Sequence, residues 1–127
     1  MHREIKFRGK RIVNGKWVYG YLTKIWGQFN IVEISDGNIA YEVDTETVGQ
    51  YTGRKDKNEV EIYGEDIVKI QHGYYPSLIG RVSFEEGQWM VKELDGTVWN
   101  LYSFILAPVE VIGNIQDNLE LLEESNG

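Results

Sequence analysis

The sequence predicts a mainly all-β fold: two small β units, with an SH3-like barrel in the C-terminal half, and a short C-terminal helix. Three observations carry this. Tyr, Trp, Val and Ile recur in short alternating runs, the period-2 pattern of half-buried strands. The runs are broken by Gly, Asn and Asp, which tolerate turn conformations. The 3.6-residue spacing of an amphipathic helix is scarce. With 42% hydrophobic and 26% charged side chains in 127 residues, the chain also has the apolar content of one core-bearing domain, which excludes disorder of the whole.

The elements follow in order. A strand is expected from Glu4 to Arg8, then a hairpin turn at Asn14-Gly15, a dipeptide in which both residues accept positive φ. The strand from Trp17 to Ile25 puts Trp17, Tyr19, Tyr21 and Thr23 on one face. Gln28 to Ile34, a turn at Asp36-Gly37 and Ile39 to Val43 complete an N-terminal sheet over residues 1–43. Residues 44–66 form a long polar stretch punctuated by Gly49, Gly53 and Gly64, and read as a connector. Strands are then expected at Ile67 to Gln71, Leu78 to Phe84, Gln88 to Leu94, Thr97 to Leu101 and Val109 to Ile112, with turns at Glu86-Gly87 and Asp95-Gly96. Five short strands over residues 67–116 suit a small barrel, because closure removes exposed edges. Asp117 followed by Glu120 resembles a capping box for a short helix from Asn118, so residues 117–127 read as helix and tail. Together these make one domain over residues 1–127.

Composition narrows the chemistry. The absence of cysteine removes disulfides and thiolate metal sites, and His2 and His72 are the only imidazoles. No run approaches the ~18 apolar residues of a membrane helix, and the basic opening has no apolar stretch behind it. Neither a membrane nor a cofactor is expected. The net charge of -7 is unevenly placed: residues 1–30 hold seven basic side chains against Glu4 alone, leaving six basic against nineteen acidic in the remainder. A basic head on an acidic body favours association with a second copy or an anionic partner.

No catalytic constellation emerges. Gly49 to Asp56 superficially resembles a phosphate loop, yet three residues separate the glycines and Asp56 stands where a magnesium-binding hydroxyl belongs. Glu65-Asp66, Glu85-Glu86 and Glu123-Glu124 are adjacent acids, which point to opposite faces in a strand; Asp66 is expected to accept turn amides. His72, with Glu85 or Glu86, has no spacing that identifies a catalytic pair. The candidate binding surface is Arg3, Lys6, Arg8, Lys10, Arg11, Lys16 and Trp17, where cations mix with flat rings as single-stranded nucleic acid requires. Trp26, Trp89 and Trp99 are expected in the core.

Phe7-Arg8-Gly9-Lys10, Trp17-Val18-Tyr19-Gly20-Tyr21, Thr47 to Gly53, Asp56-Lys57-Asn58 and Val111 to Ile115 occur in an order and spacing that resemble the YopX family of phage and prophage proteins. The resemblance spans roughly Arg3 to Leu122. One departure stands at Tyr63-Gly64-Glu65-Asp66, where the family's usual order is Tyr-Glu-Gly-Asp. The resemblance implies a β-rich fold with an SH3-like barrel, bacterial cytoplasm during phage carriage, and no established activity. The expectation is therefore a non-enzymatic accessory protein that binds a phage or host protein, with nucleic-acid binding by the basic head as the alternative. Sixteen aromatic residues exceed what two thin sheets bury, which adds an expectation of homo-oligomers.

Overall fold

The computed structural model describes residues 5–33, 39–71, 73–74, 76–104 and 107–124, so the turn read at Asp36-Gly37 and the tail from Ser125 fall outside it. The chain divides into two compact units, residues 1–53 and 54–127.

The first unit is an antiparallel sheet of β1 (Phe7–Lys10), β2 (Trp17–Ile25), β3 (Gln28–Glu33), β4 (Ile39–Glu42) and the start of β5 (Gly49–Lys55), in the order β4-β3-β2-β1-β5. The β1-β2 turn forms where expected but as a longer loop in which Gly15, and not Asn14, takes positive φ (69°); the Gly15 amide donates to the Arg11 carbonyl at 2.8 Å, and Asn14 instead uses its Oδ1 to accept the Lys16 amide at 3.0 Å. The sheet curls, so that Val43 after β4 bridges Arg11 after β1. Ile12 donates to the Glu42 carbonyl at 3.1 Å, and Asp44 donates to that of Lys10 at 2.9 Å. Val43 and Ile31 are fully buried inside the curl. Gly9 makes room there, since a Cβ on it would lie 3.0 Å from Val43 Cβ.

The second unit begins at the end of β5, which pairs with β6 (Glu61–Tyr63). It continues through β7 (Asp66–Ile70), β8 (Leu78–Glu85), β9 (Gln88–Lys92), β10 (Val98–Asn100), a 3-10 turn at Leu101–Phe104 and β11 (Val109–Asn114), then α1 (Ile115–Asn118) and α2 (Glu120–Glu124). The last five strands form an antiparallel sheet in the order β10-β9-β8-β7-β11. Its core is Ile62, Val68, Ile70, Leu78, Val82, Val91, Leu101, Phe104 and Val109. Val82 and Val91 are directly paired across β8 and β9, which continues the apolar face from strand to strand.

Three expectations change here. The mainly β class holds, but no pairing among the described residues joins β10 to β11, and the expected barrel is not closed. The free side of β11 is occupied instead: Val109 accepts the Lys57 amide at 2.8 Å, and Val111 donates to Asp56 Oδ2 at 2.9 Å. Residues 44–66 are more than a connector, since they carry a 3-10 turn at Thr45–Thr47, β5 and β6, and the boundary between units falls inside β5. Their polarity misled because several of the polar side chains bond backbone inside the fold rather than water. Finally, Asn114 rather than Asp117 caps the helical end: its Oδ1 accepts the Asp117 amide at 2.9 Å, so Asp117 lies in the first turn.

The exchanged Gly64 and Glu65 have a definite consequence. Glu65 sits at φ 75°, in the left-handed region where the family's order would place glycine. Its side chain pairs with Arg81 at 2.8 Å across partly exposed surface, a contact of modest worth. Glu65→Gly is accordingly expected to leave stability unchanged or raise it by about 1 kcal/mol in urea unfolding, because relief of the left-handed strain offsets the lost ion pair. A clear fall in stability would show that the ion pair outweighs the strain.

Candidate functional site

Only part of the basic head converges on one surface. Arg3 lies outside the described residues. In the β1-β2 register Arg8 faces Tyr19 and Lys10 faces Trp17, so these four side chains share one face of the sheet. Alternation turns Arg11 to the other face, where its guanidinium carbon stands 4.5 Å from the Tyr41 ring centre. Lys16 is exposed in the turn. On the shared face, Arg8 and Lys10 approach the Trp17 ring at 4.7 and 5.4 Å, and Lys6 approaches Tyr51 at 5.6 Å. These are cation-π distances. Arg8 is buried, so its charge braces Trp17 from within the protein surface.

The charge division also changes once the chain folds. Residues 1–53 contain seven basic side chains, but Glu33, Asp36, Glu42, Asp44 and Glu46 join Glu4 in that unit, leaving it at +1. The second unit, with six basic and fourteen acidic side chains, is at -8. The basic head of the sequence is thus part of a near-neutral unit, and long-range steering of an anion toward it is weak.

A cleft of about 500 Å³ in the first unit is lined by Lys10, Arg11, Gln28, Asp44, Thr45 and Thr47 among others. Much of its polar lining already serves the fold. Gln28 Nε2 donates to the Val43 and Phe29 carbonyls at 3.0 and 3.2 Å, and Asp44 Oδ1 accepts the Glu46 amide. Thr47 Oγ1 accepts the Lys10 amide at 2.8 Å and donates to the Asp44 carbonyl at 2.6 Å. Among the described residues, no group of three or more acids and histidines is placed to hold a metal ion, and no helix is long and apolar enough to cross a membrane.

The Gly49 to Asp56 segment, for all its likeness to a phosphate loop, serves the fold. Arg54 donates to the carbonyls of Leu101 and Phe104 at 2.9 and 2.7 Å, fastening the 3-10 turn between β10 and β11. Burial lowers its pKa from the ordinary arginine value, and Tyr102 opposes the shift. Asp66, buried, accepts the Tyr63 amide at 2.8 Å, the turn-amide role expected of it. His72 lies outside the described residues, while Glu85 pairs with Lys92 at 2.7 Å and Glu86 occupies a turn at φ 51°.

The exposed aromatics are elsewhere. Trp89 and Trp99 pack against the second core, but Trp26, expected inside, is fully exposed at the tip of the β2-β3 hairpin. It takes φ 53° and Gly27 takes φ 81°, between the closing pair Ile25 and Gln28. Such a two-residue turn favours Asn-Gly, and the Gly at position 27 was the only sequence signal that Trp26 stands in a loop. Tyr19 and Tyr21 are 45% and 55% exposed on the face that carries Trp17.

The fold is therefore that of a two-unit antiparallel β protein whose most recognisable segments hold turns, caps and strand edges. The chain belongs to the YopX family, whose model, described as YopX protein, matches residues 6–123. Its fold is similar to that in the crystal structure of protein EF1440 from Enterococcus faecalis, at 23% identity and a TM-score of 0.60, over 95% of this chain and 99% of that one. No curated protein matches the chain.

Proposed function

We propose that this YopX-family protein is a non-enzymatic accessory protein of a phage or prophage, working by binding a phage or host protein through the β2-β3 hairpin. The observation that carries the reading is Trp26. A tryptophan wholly in solvent, in a backbone conformation that disfavours it, costs stability without serving a core. Tryptophan is among the residues most often found to dominate protein interfaces. The half-exposed Ile25 beside it extends the apolar tip.

The test is a quantitative binding measurement on the partner isolated with the wild-type chain from the bacterial host. Trp26→Gly removes the ring and relieves the positive φ, so it should melt no lower than wild type. Its affinity should fall by about thirtyfold or more, the loss of an interface anchor worth roughly 2 kcal/mol. Unchanged affinity would overturn the reading, as would turnover of a small metabolite abolished by one side-chain change.

A further inference from the structure

The face of the first sheet carries a ladder distinct from the hairpin tip. Trp17, Tyr19 and Tyr21 lie two residues apart on β2, which spaces their backbone positions about 7 Å along the strand. On β1, Lys10 and Arg8 stand directly opposite Trp17 and Tyr19, and Lys6 continues that row beside Tyr51. Beyond Tyr21 the same face carries Thr23, then Asn30, which is buried, and Val32 on β3 and Ala40 on β4, all uncharged. Its first acid in the described register is Glu42, on the far strand of the sheet.

From this juxtaposition we infer that the Trp17-Tyr19-Tyr21 face binds single-stranded nucleic acid, with bases stacked on the exposed tyrosines and phosphates beside Lys6 and Lys10. Flat rings and cations in parallel rows match a polymer that repeats a planar group and an anion. The spacing selects the strand state. Anchor positions about 7 Å apart repeat at twice the roughly 3.4 Å base step of a helical strand, which suits a chain that lays successive bases along them in an extended, unpaired state. Arg8 and Lys10 both lie within cation-π distance of the Trp17 ring, bracing the end of the ladder. Stacking reads no base edge, so the binding is tolerant of sequence. The near-neutral charge of the unit makes it weak and short-ranged, with contacts to phosphate limited to the few cations of the row.

Fluorescence anisotropy of labelled short oligo-dT and oligo-rU, with a duplex of equal length, tests this on the full chain. Binding should be at least about tenfold tighter to single strands than to duplex at low salt. Two to three phosphate contacts predict a slope of about -2 in log affinity against log salt. Tyr19→Ala with Tyr21→Ala should weaken binding about 25-fold or more, whereas the two phenylalanine replacements retain it, since a stacking ring survives. Lys6→Gln with Lys10→Gln should flatten the salt dependence. Trp26→Gly should leave oligonucleotide binding unchanged, which separates this inference from the hairpin's protein contact. No anisotropy change at low salt, equal affinity for duplex, or indifference to the alanine pair would overturn it. Light scattering that shows a dimer dissolved by the alanine pair, with no oligonucleotide bound, would assign the face to a second copy and overturn it equally.

Discussion

Gly20→Ala is expected to unfold the first unit under conditions where the wild-type chain is folded. Gly20 occupies the middle of β2, paired with Phe7 on β1 and Glu33 on β3, and is buried. A Cβ at this position would fall 1.9 Å from the Val32 carbonyl oxygen and 2.8 Å from its carbon. These are backbone atoms of a paired strand, so no side-chain rotation relieves the overlap. Overpacking where neighbours can yield costs about 1 to 3 kcal/mol; here β3 must separate from β2, and a cost above about 4 kcal/mol is expected. Gly15→Ala provides the contrast. Its Cβ would meet nothing within 4 Å, and only the φ of 69° resists it, so about 1 kcal/mol is lost. Urea unfolding of both variants distinguishes the mechanisms: similar midpoints would show that β3 accommodates the methyl group and that the close approach at Gly20 is soft. Because Tyr19 and Tyr21 flank Gly20 on the opposite face, loss of this packing should also remove any binding that depends on their spacing.

What the sequence disclosed was local, and what it concealed was non-local. The strand Trp17–Ile25 and the turn at Gly15 are legible because alternation and positive-φ preference act within a few residues, although Asn14 does not adopt the positive φ its type allows. The basic head was legible as charge but not as a surface. Whether Arg8 and Arg11 share a face follows from alternation, and the acids that belong to the same unit lie in residues 33–46 of the sequence, beyond the head itself. Trp26 reads as a core residue when it is grouped with the strand tryptophans Trp89 and Trp99 by its spacing, although the adjacent Gly27 marks a turn. The shared face of Trp17, Tyr19 and Tyr21 was readable in advance; that two of the three remain half-exposed depends on which face the sheet curls to enclose. The stretch 44–66 failed for another reason. A polar side chain has the same hydropathy whether water or a buried amide satisfies it, and at Asp56 the partners include Val111, 55 residues away.

That carboxylate supports the second large expected effect. Asp56 is buried, and Oδ1 accepts the amides of Asn58 and Val60 at 2.8 and 2.9 Å while Oδ2 accepts that of Val111 at 2.9 Å. Its own amide donates to the Val60 carbonyl at 2.7 Å, so one residue closes the β5-β6 turn and covers the edge of β11. Asp56→Ala leaves three amides without an acceptor. At about 1 to 3 kcal/mol for each unsatisfied buried donor, partly offset where water reaches the turn, a loss of about 3 kcal/mol or more is expected. Asp56→Asn keeps the shape but replaces one acceptor oxygen with a donor. If the remaining oxygen holds the turn amides, Val111 loses its partner and meets a like group, placing this variant between wild type and alanine at about 1 to 3 kcal/mol. Hydrogen exchange resolves the assignment: alanine should deprotect the amides of Asn58, Val60 and Val111 together, whereas asparagine should deprotect Val111 first. If both variants unfold within about 0.5 kcal/mol of wild type, the carboxylate does not bind the turn to β11, and the resistance of that edge to pairing must come from its neighbours alone.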